Sequence, residues 1–545
     1  MNKIKNNVWW MSAKIFGSVG LLLWFSGVGY TAQVESPSEL VRRMGVDGWV
    51  ASKPSVSQLK IAILDNGFAG FDPARALLPG TVEMPTLTEY PAAQTAHGLG
   101  MAQIVWSVMG QPSEGPQFLL LNSNGFSNFK ASVEYAISKK VDVLLYSQTW
   151  PFGGNFDGTG FIDKLAAVAS RAGILWINAA GNSHGLIFNR TGIAATQDIQ
   201  FENQFDENHL TITLSWNDYW ESETYRSRKD LDLFVLDKNG NVLASGELIQ
   251  RGEAPPVDGT PSQLSSYARE SVQLPSVDRG TYTLRIVAKS QNFGESDRFR
   301  VLIKADRGDG IRFLGQSEPG EIMPPADSSA VFTVGDVSAI SSMGPTSDGR
   351  MKPDLLIQDA RVQFSSGAEA SGSSTASALF AGVVALAKAK NPSVSFAKVQ
   401  EWIRQSWATD PASQPGASEG TDPASDPHLQ FINSSQISAN LRPYLPESGQ
   451  VYWHTGRGNY IAYVPMDPFA MSGPSLQHVT RLAADDHLAL NPSKNLWLRV
   501  SDADAEKRIK PPFVEFRRLK GEVSLSPVIP VWNPGWITSQ SLPKL

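Results

Sequence analysis

Hydrophobic and polar positions change their rhythm three times along the chain, and each change marks a different architecture. From Leu59 to Leu64 the run LKIAIL is short, almost wholly apolar and followed by Asp65-Asn66-Gly67. That is the pattern of a strand buried on both faces of a parallel sheet as it enters a turn. Similar runs recur at Gln117 to Leu121, Val141 to Tyr146 and Ile174 to Ala179, with helical patterns between them at Ala131 to Lys139 and Asp163 to Arg171. Alternating strand and helix predict a parallel α/β sheet with right-handed crossovers. After about residue 200 the period becomes two, in Leu210 to Trp216, Asp230 to Leu236, Asn241 to Ala244 and Gly280 to Val287. Asp237-Lys238-Asn239-Gly240 supplies a hairpin turn, so an antiparallel β domain, a sandwich or jelly-roll, is expected as an insertion over 201–320. The α/β texture resumes with VFTVGDV from Val331, and Ser374 to Lys390 is helical until Asn391-Pro392 ends it.

The ends of the chain read differently. Lys3, Lys5 and Lys14 precede or abut the apolar run Ile15 to Val28, which predicts a signal peptide over 1–32 and an exported protein, secreted or periplasmic. The run is shorter than a spanning helix needs and no later stretch reaches that length without charges, so no stable membrane anchor is expected. Thr409 to Pro427 is rich in Pro, Ser, Asp and Gly, carries TDPAS twice and reads as a mobile loop. Short alternating runs such as Trp497 to Val500 predict a small β-rich domain over 441–545, in which Trp532 and Trp536 are read as core side chains. The catalytic α/β domain is thereby split into 33–200 and 321–440.

Composition narrows the chemistry. Of 545 residues, 47 Lys and Arg stand against 53 Asp and Glu, leaving a charge of −6, of the wrong sign for a general phosphate-backbone binder; no nucleic-acid partner is expected. The absence of Cys excludes disulfides, thiolate zinc sites, Fe–S clusters and a cysteine nucleophile. Asp230, Asp232 and Asp237 could hold Ca²⁺ through carboxylate oxygens, but solvated turn acids are the expectation, so no metal or cofactor is assigned.

Three segments carry a coherent chemistry. ILDNG places the Asp65 carboxylate at the end of a buried strand, AHGLGMA places the His97 imidazole at the opening of an apolar helix, and GSSTASALFAG places the Ser374 hydroxyl in the first turn of a small-residue helix. Acyl transfer by serine needs a base for the hydroxyl proton and an acid partner that holds the base in the right tautomer. A fourth segment, INAAGNS, ends another strand, and the Asn182 amide there could donate to the oxyanion formed when Ser374 attacks a carbonyl, with the Ser374 backbone N–H as second donor.

The order Asp, His, Asn, Ser and these local words resemble the subtilases, the subtilisin-like serine peptidases. Asp65 matches their strand-end aspartate, His97 their HGTHVAG word, Asn182 their oxyanion asparagine and Ser374 their GTSMAxPxxAG word, while Ser341 to Asp354 (SSMGPTSDGRMKPD) resembles FSSxGPTxDGRxKPD. The resemblance implies a three-layer subtilisin-like fold, a Ser-His-Asp triad acting on protein or peptide substrates, and Asn182 as the oxyanion donor. Departures are Leu99 and Gly100 for the usual Thr and His, and Ala378 for the usual Pro; none transfers a proton. The segment ahead of Leu59 is short for the family's prodomain, and its Leu40 to Val46 is expected to pack on the catalytic domain. Ser147-Gln148-Thr149 stands where the family usually has Ser-Leu-Gly, so Gln148 and Trp150 are expected to alter the first specificity pocket, the alternative being an ordinary strand end. His184 is expected at a pocket rim. Two other readings compete with an endopeptidase: an inactive subtilase scaffold used for binding or adhesion, and peptide ligation through the same acyl-enzyme.

Overall fold

The computed structural model describes residues 34–399, apart from residues 223, 254–262 and 339, together with residue 401 and short strands at 429–432, 451–454, 486–491, 496–501, 514–516 and 531–532. The expected signal peptide, the TDPAS loop and most of 441–545 lie outside the described residues.

The first five strands are β1 (Lys60–Asp65), β2 (Thr81–Glu83), β3 (Gln117–Asn122), β4 (Val143–Tyr146) and β5 (Leu175–Ala179). Then come β6 (Ile187–Thr191), β7 (Thr196–Asn203), β8 (Asn208–Trp216), β9 (Leu231–Leu236), β10 (Val242–Gly246), β11 (Arg269–Val277), β12 (Gly280–Ala288), β13 (Arg298–Ala305) and β14 (Ile311–Phe313). The chain returns to the first sheet with β15 (Phe332–Asp336) and β16 (Leu355–Ile357). Helices are α1 (Pro37–Arg43), α2 (Asp47–Ala51), the single turn α3 (Phe71–Ala74), α4 (His97–Val108), α5 (Phe126–Ser138), α6 (Phe161–Arg171) and α7 (Gly372–Lys390).

The main sheet runs β2-β3-β1-β4-β5-β15-β16, with Val531–Trp532 at its far edge, and every pairing within it is parallel. Side chains alternate between its faces. Ile61 and Ile63, Phe118 and Leu120, Val143 and Leu145, and Leu175 and Ile177 join the core beneath α4 and α7. Ala62 and Leu64, Leu119 and Leu121, Leu144 and Tyr146, and Trp176 join the opposite core, which contains α5 and α6. Asp65 continues the first set, so the period-two rule aims its carboxylate at the layer that carries α4 and α7. The strand ends of β1, β4 and β5 meet at one edge, the position where open α/β sheets form a crevice.

The inserted strands make two antiparallel sheets, β10-β9-β12-β7-β14 and β11-β8-β13-β6. Their inner residues, among them Phe201, Leu214, Leu233, Leu284 and Phe299, are buried together with those of α5 and α6 in one continuous core. The antiparallel pairing begins at Ile187, ahead of the residue 201 boundary drawn from the texture. Asp230 just precedes β9 and Asp232 is its second residue, and the structure does not solvate them as turn acids: Asp232 is buried and paired with Lys289, and Asp230 is half-buried. Asp237 alone behaves as expected, accepting from Asn239 and Asn241 in an exposed turn. The arm before β1 packs Leu40, Val41, Met44 and Val46 into the core shared with α4. Among the described residues, α7 is the one helix long and apolar enough to cross a membrane, and most of it is buried inside the protein.

Phe129 sits at the hub of an aromatic cluster, with ring centroids 5.1 Å from Tyr146, 5.6 Å from Trp150 and 6.2 Å from Trp176. Phe129→Ala is expected to destabilise the protein by about 3–5 kcal/mol, read as a lower urea midpoint at unchanged secondary structure.

Candidate active site

Two helices begin at the sheet edge, and each exposes one side chain there. In α4 every residue from Gly98 to Val108 is buried, and His97 at the first position is the exception. In α7 every residue from Gly372 to Ala387 is buried except Ser374. Small residues allow this seating. A Cβ on Gly98 would lie 2.5 Å from the Asp65 Cβ, so only glycine lets α4 start directly against the end of β1. Gly372 takes φ +82° and a Cβ there would lie 2.8 Å from Asn182 Nδ2, so the turn into α7 is shaped around that amide.

Asp65 is fully buried. Its Oδ2 lies 2.7 Å from His97 Nδ1, and its Oδ1 accepts from the Asn66 N–H (2.8 Å) and from Gln148 Nε2 (3.1 Å). An ionised carboxylate only accepts, so Nδ1 carries the proton and Nε2 is left as the acceptor. Burial pulls the imidazole pKa down, yet the Asp65 charge and hydrogen bond together outweigh it, and the pKa lies above the ordinary 6.5. The ring keeps 27% of its side-chain surface exposed, enough for a substrate or solvent proton to reach it.

Ser374 is tied to the same edge. Its Oγ donates to the Ser147 carbonyl at 3.0 Å, and the Ser374 carbonyl accepts from Ser377 Oγ at 2.8 Å. No hydrogen bond joins Ser374 to His97 in this resting arrangement; the two are linked through Ser147 and Gln148, which hold Ser374 and Asp65 respectively. Asn182 Oδ1 accepts from the Ser373 N–H at 3.0 Å, which orients the amide beside the start of α7, and the Ser373 hydroxyl accepts from the Gly181 N–H at 3.1 Å. Ser342, from the SSMGPTSDGRMKPD segment, braces this turn through its N–H to the Gly181 carbonyl and its Oγ to the Ser183 N–H.

Asp65, His97, Asn182 and Ser374 are thus neighbours in one hydrogen-bonded stretch at the end of the sheet: Asp65 holds His97 directly, Gln148 and Ser147 hold Asp65 and Ser374, and Asn182 holds the Ser373 N–H. Gln148 is half-buried and its amide bonds Asp65, while Trp150 is buried against Phe126, Phe129 and Phe152. His184 is exposed and pairs with Glu321 at 2.9 Å. Sequence reasoning missed the part Ser147 and Gln148 play at the junction of acid and nucleophile; a polar pair at the end of a buried strand was the available signal.

The structure pairs a strand-end carboxylate with a helix-start imidazole at the end of an open parallel sheet, with the Ser374 hydroxyl and the Asn182 carboxamide near by. The chain belongs to the subtilase family, whose sequence profile matches residues 57–428, and it is accordingly a serine-type peptidase. Among solved structures it is similar to the CspB protease of Clostridium perfringens, at 12% identity over 66% of this chain and 90% of that one, with a TM-score of 0.42. It is also similar to the prenylagaramide maturation protease PagA, at 11% identity over 72% and 91% of the two chains, with a TM-score of 0.31. No curated protein matches the chain.

The raised imidazole pKa has a direct readout. In a ¹³C-histidine titration, the His97 resonance is expected to turn over above pH 6.5, and Asp65→Asn, which removes the charge, is expected to bring the midpoint down.

Proposed function

We propose that the protein is an exported serine endopeptidase that cleaves peptide bonds through an acyl-enzyme on Ser374. The observation that carries this reading is the 2.7 Å bond between His97 Nδ1 and the buried Asp65 carboxylate, at an edge that also presents Ser374 and Asn182.

In this reading Ser374 leaves its resting bond to the Ser147 carbonyl and passes its proton to His97 Nε2 as Oγ attacks the scissile carbonyl. Asp65 stabilises the imidazolium and keeps its Nε2 face forward without itself taking the proton. The oxyanion is met by the Asn182 carboxamide and by the Ser374 N–H, one of the unpaired donors in the first turn of α7. His97 then returns the proton to the leaving amine, and water repeats the sequence to release the acyl group. Because the active base is neutral His97, activity is present above its pKa and lost as pH falls through it. The Lys-bearing start and the apolar run Ile15 to Val28 support export. A scaffold used only for binding would have no need of the ordered Asp65–His97 pair.

Ser374→Ala is expected to abolish both casein cleavage and fluorophosphonate labelling while the circular dichroism spectrum stays unchanged. Labelling retained by that variant would refute the nucleophile assignment. Asn182→Ala is expected to lower kcat by about 10²–10³-fold with little change in KM. In the intact protein, kcat/KM is expected to fall on the acid side with a midpoint above pH 6.5.

A further inference from the structure

The Asp65 carboxyl is fully buried, and the partner of its second oxygen is where this chain departs from its family's usual words. We infer that Gln148 is a positioning residue: its side-chain amide fixes the Asp65 carboxylate in the orientation that meets His97 and sets how strongly Asp65 holds that imidazole. The inference deepens the peptidase reading and rests on it for its catalytic consequence.

Three observations support it. First, Oδ1 of Asp65 has two donors, the Asn66 N–H and Gln148 Nε2 at 3.1 Å, so the amide is the side-chain partner opposite His97. A leucine at 148, the family's usual residue there, would leave that oxygen with the backbone donor alone. Second, Gln148 aims from an anchored base. Its carbonyl accepts from Asn178 Nδ2 at 3.1 Å, and Asn178 Oδ1 accepts from Trp176 Nε1 at 3.0 Å, both residues being fully buried. Third, β4 ends at Tyr146, so the side-chain alternation lapses and residue 148 is free to turn toward the end of β1. Its neighbour Ser147 meanwhile accepts the Ser374 hydroxyl, so two successive residues touch the acid and the nucleophile.

The physical consequence concerns charge. A donor on Oδ1 draws off part of the carboxylate's negative charge, so less remains to stabilise the imidazolium. Without the amide, Asp65 rotates more freely and holds the His97 proton more tightly. His97 and Tyr146 are the titratable groups set against Asp65. Tyr146 stays neutral, because burial first and the Asp65 charge second push its hydroxyl far up.

Gln148→Met, which keeps the length and removes the donor, provides the test, with the full chain labelled with ¹³C-histidine. The His97 resonance is assigned among the seven histidines by its loss in His97→Ala. The expected result is an upward shift of the His97 midpoint, larger still in Gln148→Glu, with kcat lowered about 10-fold and KM within two-fold of the parent. A native circular dichroism spectrum excludes misfolding. An unmoved His97 midpoint in Gln148→Met would overturn the inference, and a raised KM with an unmoved midpoint would make Gln148 a substrate contact instead. Since the titration needs no turnover, a chain that cleaves nothing would count against the peptidase reading alone.

Discussion

A carboxylate buried without exposure at the end of β1 is the constraint around which this site is arranged. Removing such a charge from water costs several kcal/mol unless hydrogen bonds and an opposing charge offset it. Asp65 meets that demand with His97 on one oxygen and Asn66 and Gln148 on the other. Each partner then restricts the chain: α4 has to begin against β1, which Gly98 permits, and β4 has to end where residue 148 can reach across. Apart from the last turn of α7, the two helices bury every residue but His97 and Ser374, so packing positions those two side chains.

The sheet separates support from chemistry. Its α4 and α7 face carries the crevice, while the opposite face is continuous with the inserted sandwich through a shared apolar core. Polar joints reinforce that second face: Asn155 exchanges hydrogen bonds with the Tyr219 backbone, and Lys164 of α6 pairs with Glu221 of the insertion. The insertion is thus packed as part of the catalytic domain's core, on the side away from α4 and α7.

Asp65, His97, Asn182 and Ser374 were legible because motif words and strand ends are local properties, and a period-two count along β1 even assigns the face of Asp65. What could not be read depends on contacts between distant segments. The bond from Gln148 to Asp65 and the packing of Trp150 on Phe126 and Phe129 of α5 join segments far apart in the chain, and the local word at 146–150 reports neither. The insertion was seen in its alternating strands, but β6, two apolar residues followed by Asn-Arg-Thr, carries too little alternation to be read as its first strand. Burial first, and then the neighbouring Asp327 charge, push the Asp163 carboxyl well above the usual range, a pairing 164 positions apart that no local pattern reports.

Convergence of the four side chains on one reacting centre is the claim from which the rest follows. A crystal structure of the protein after reaction with a fluorophosphonate tests it most directly. The account predicts a phosphoryl group bonded to Ser374 Oγ, one phosphoryl oxygen within hydrogen-bond distance of both Asn182 Nδ2 and the Ser374 N–H, and His97 still on Asp65 with Nε2 facing the adduct. An adduct on another residue, or one on Ser374 whose oxygen points away from Asn182 with His97 out of reach, would contradict it.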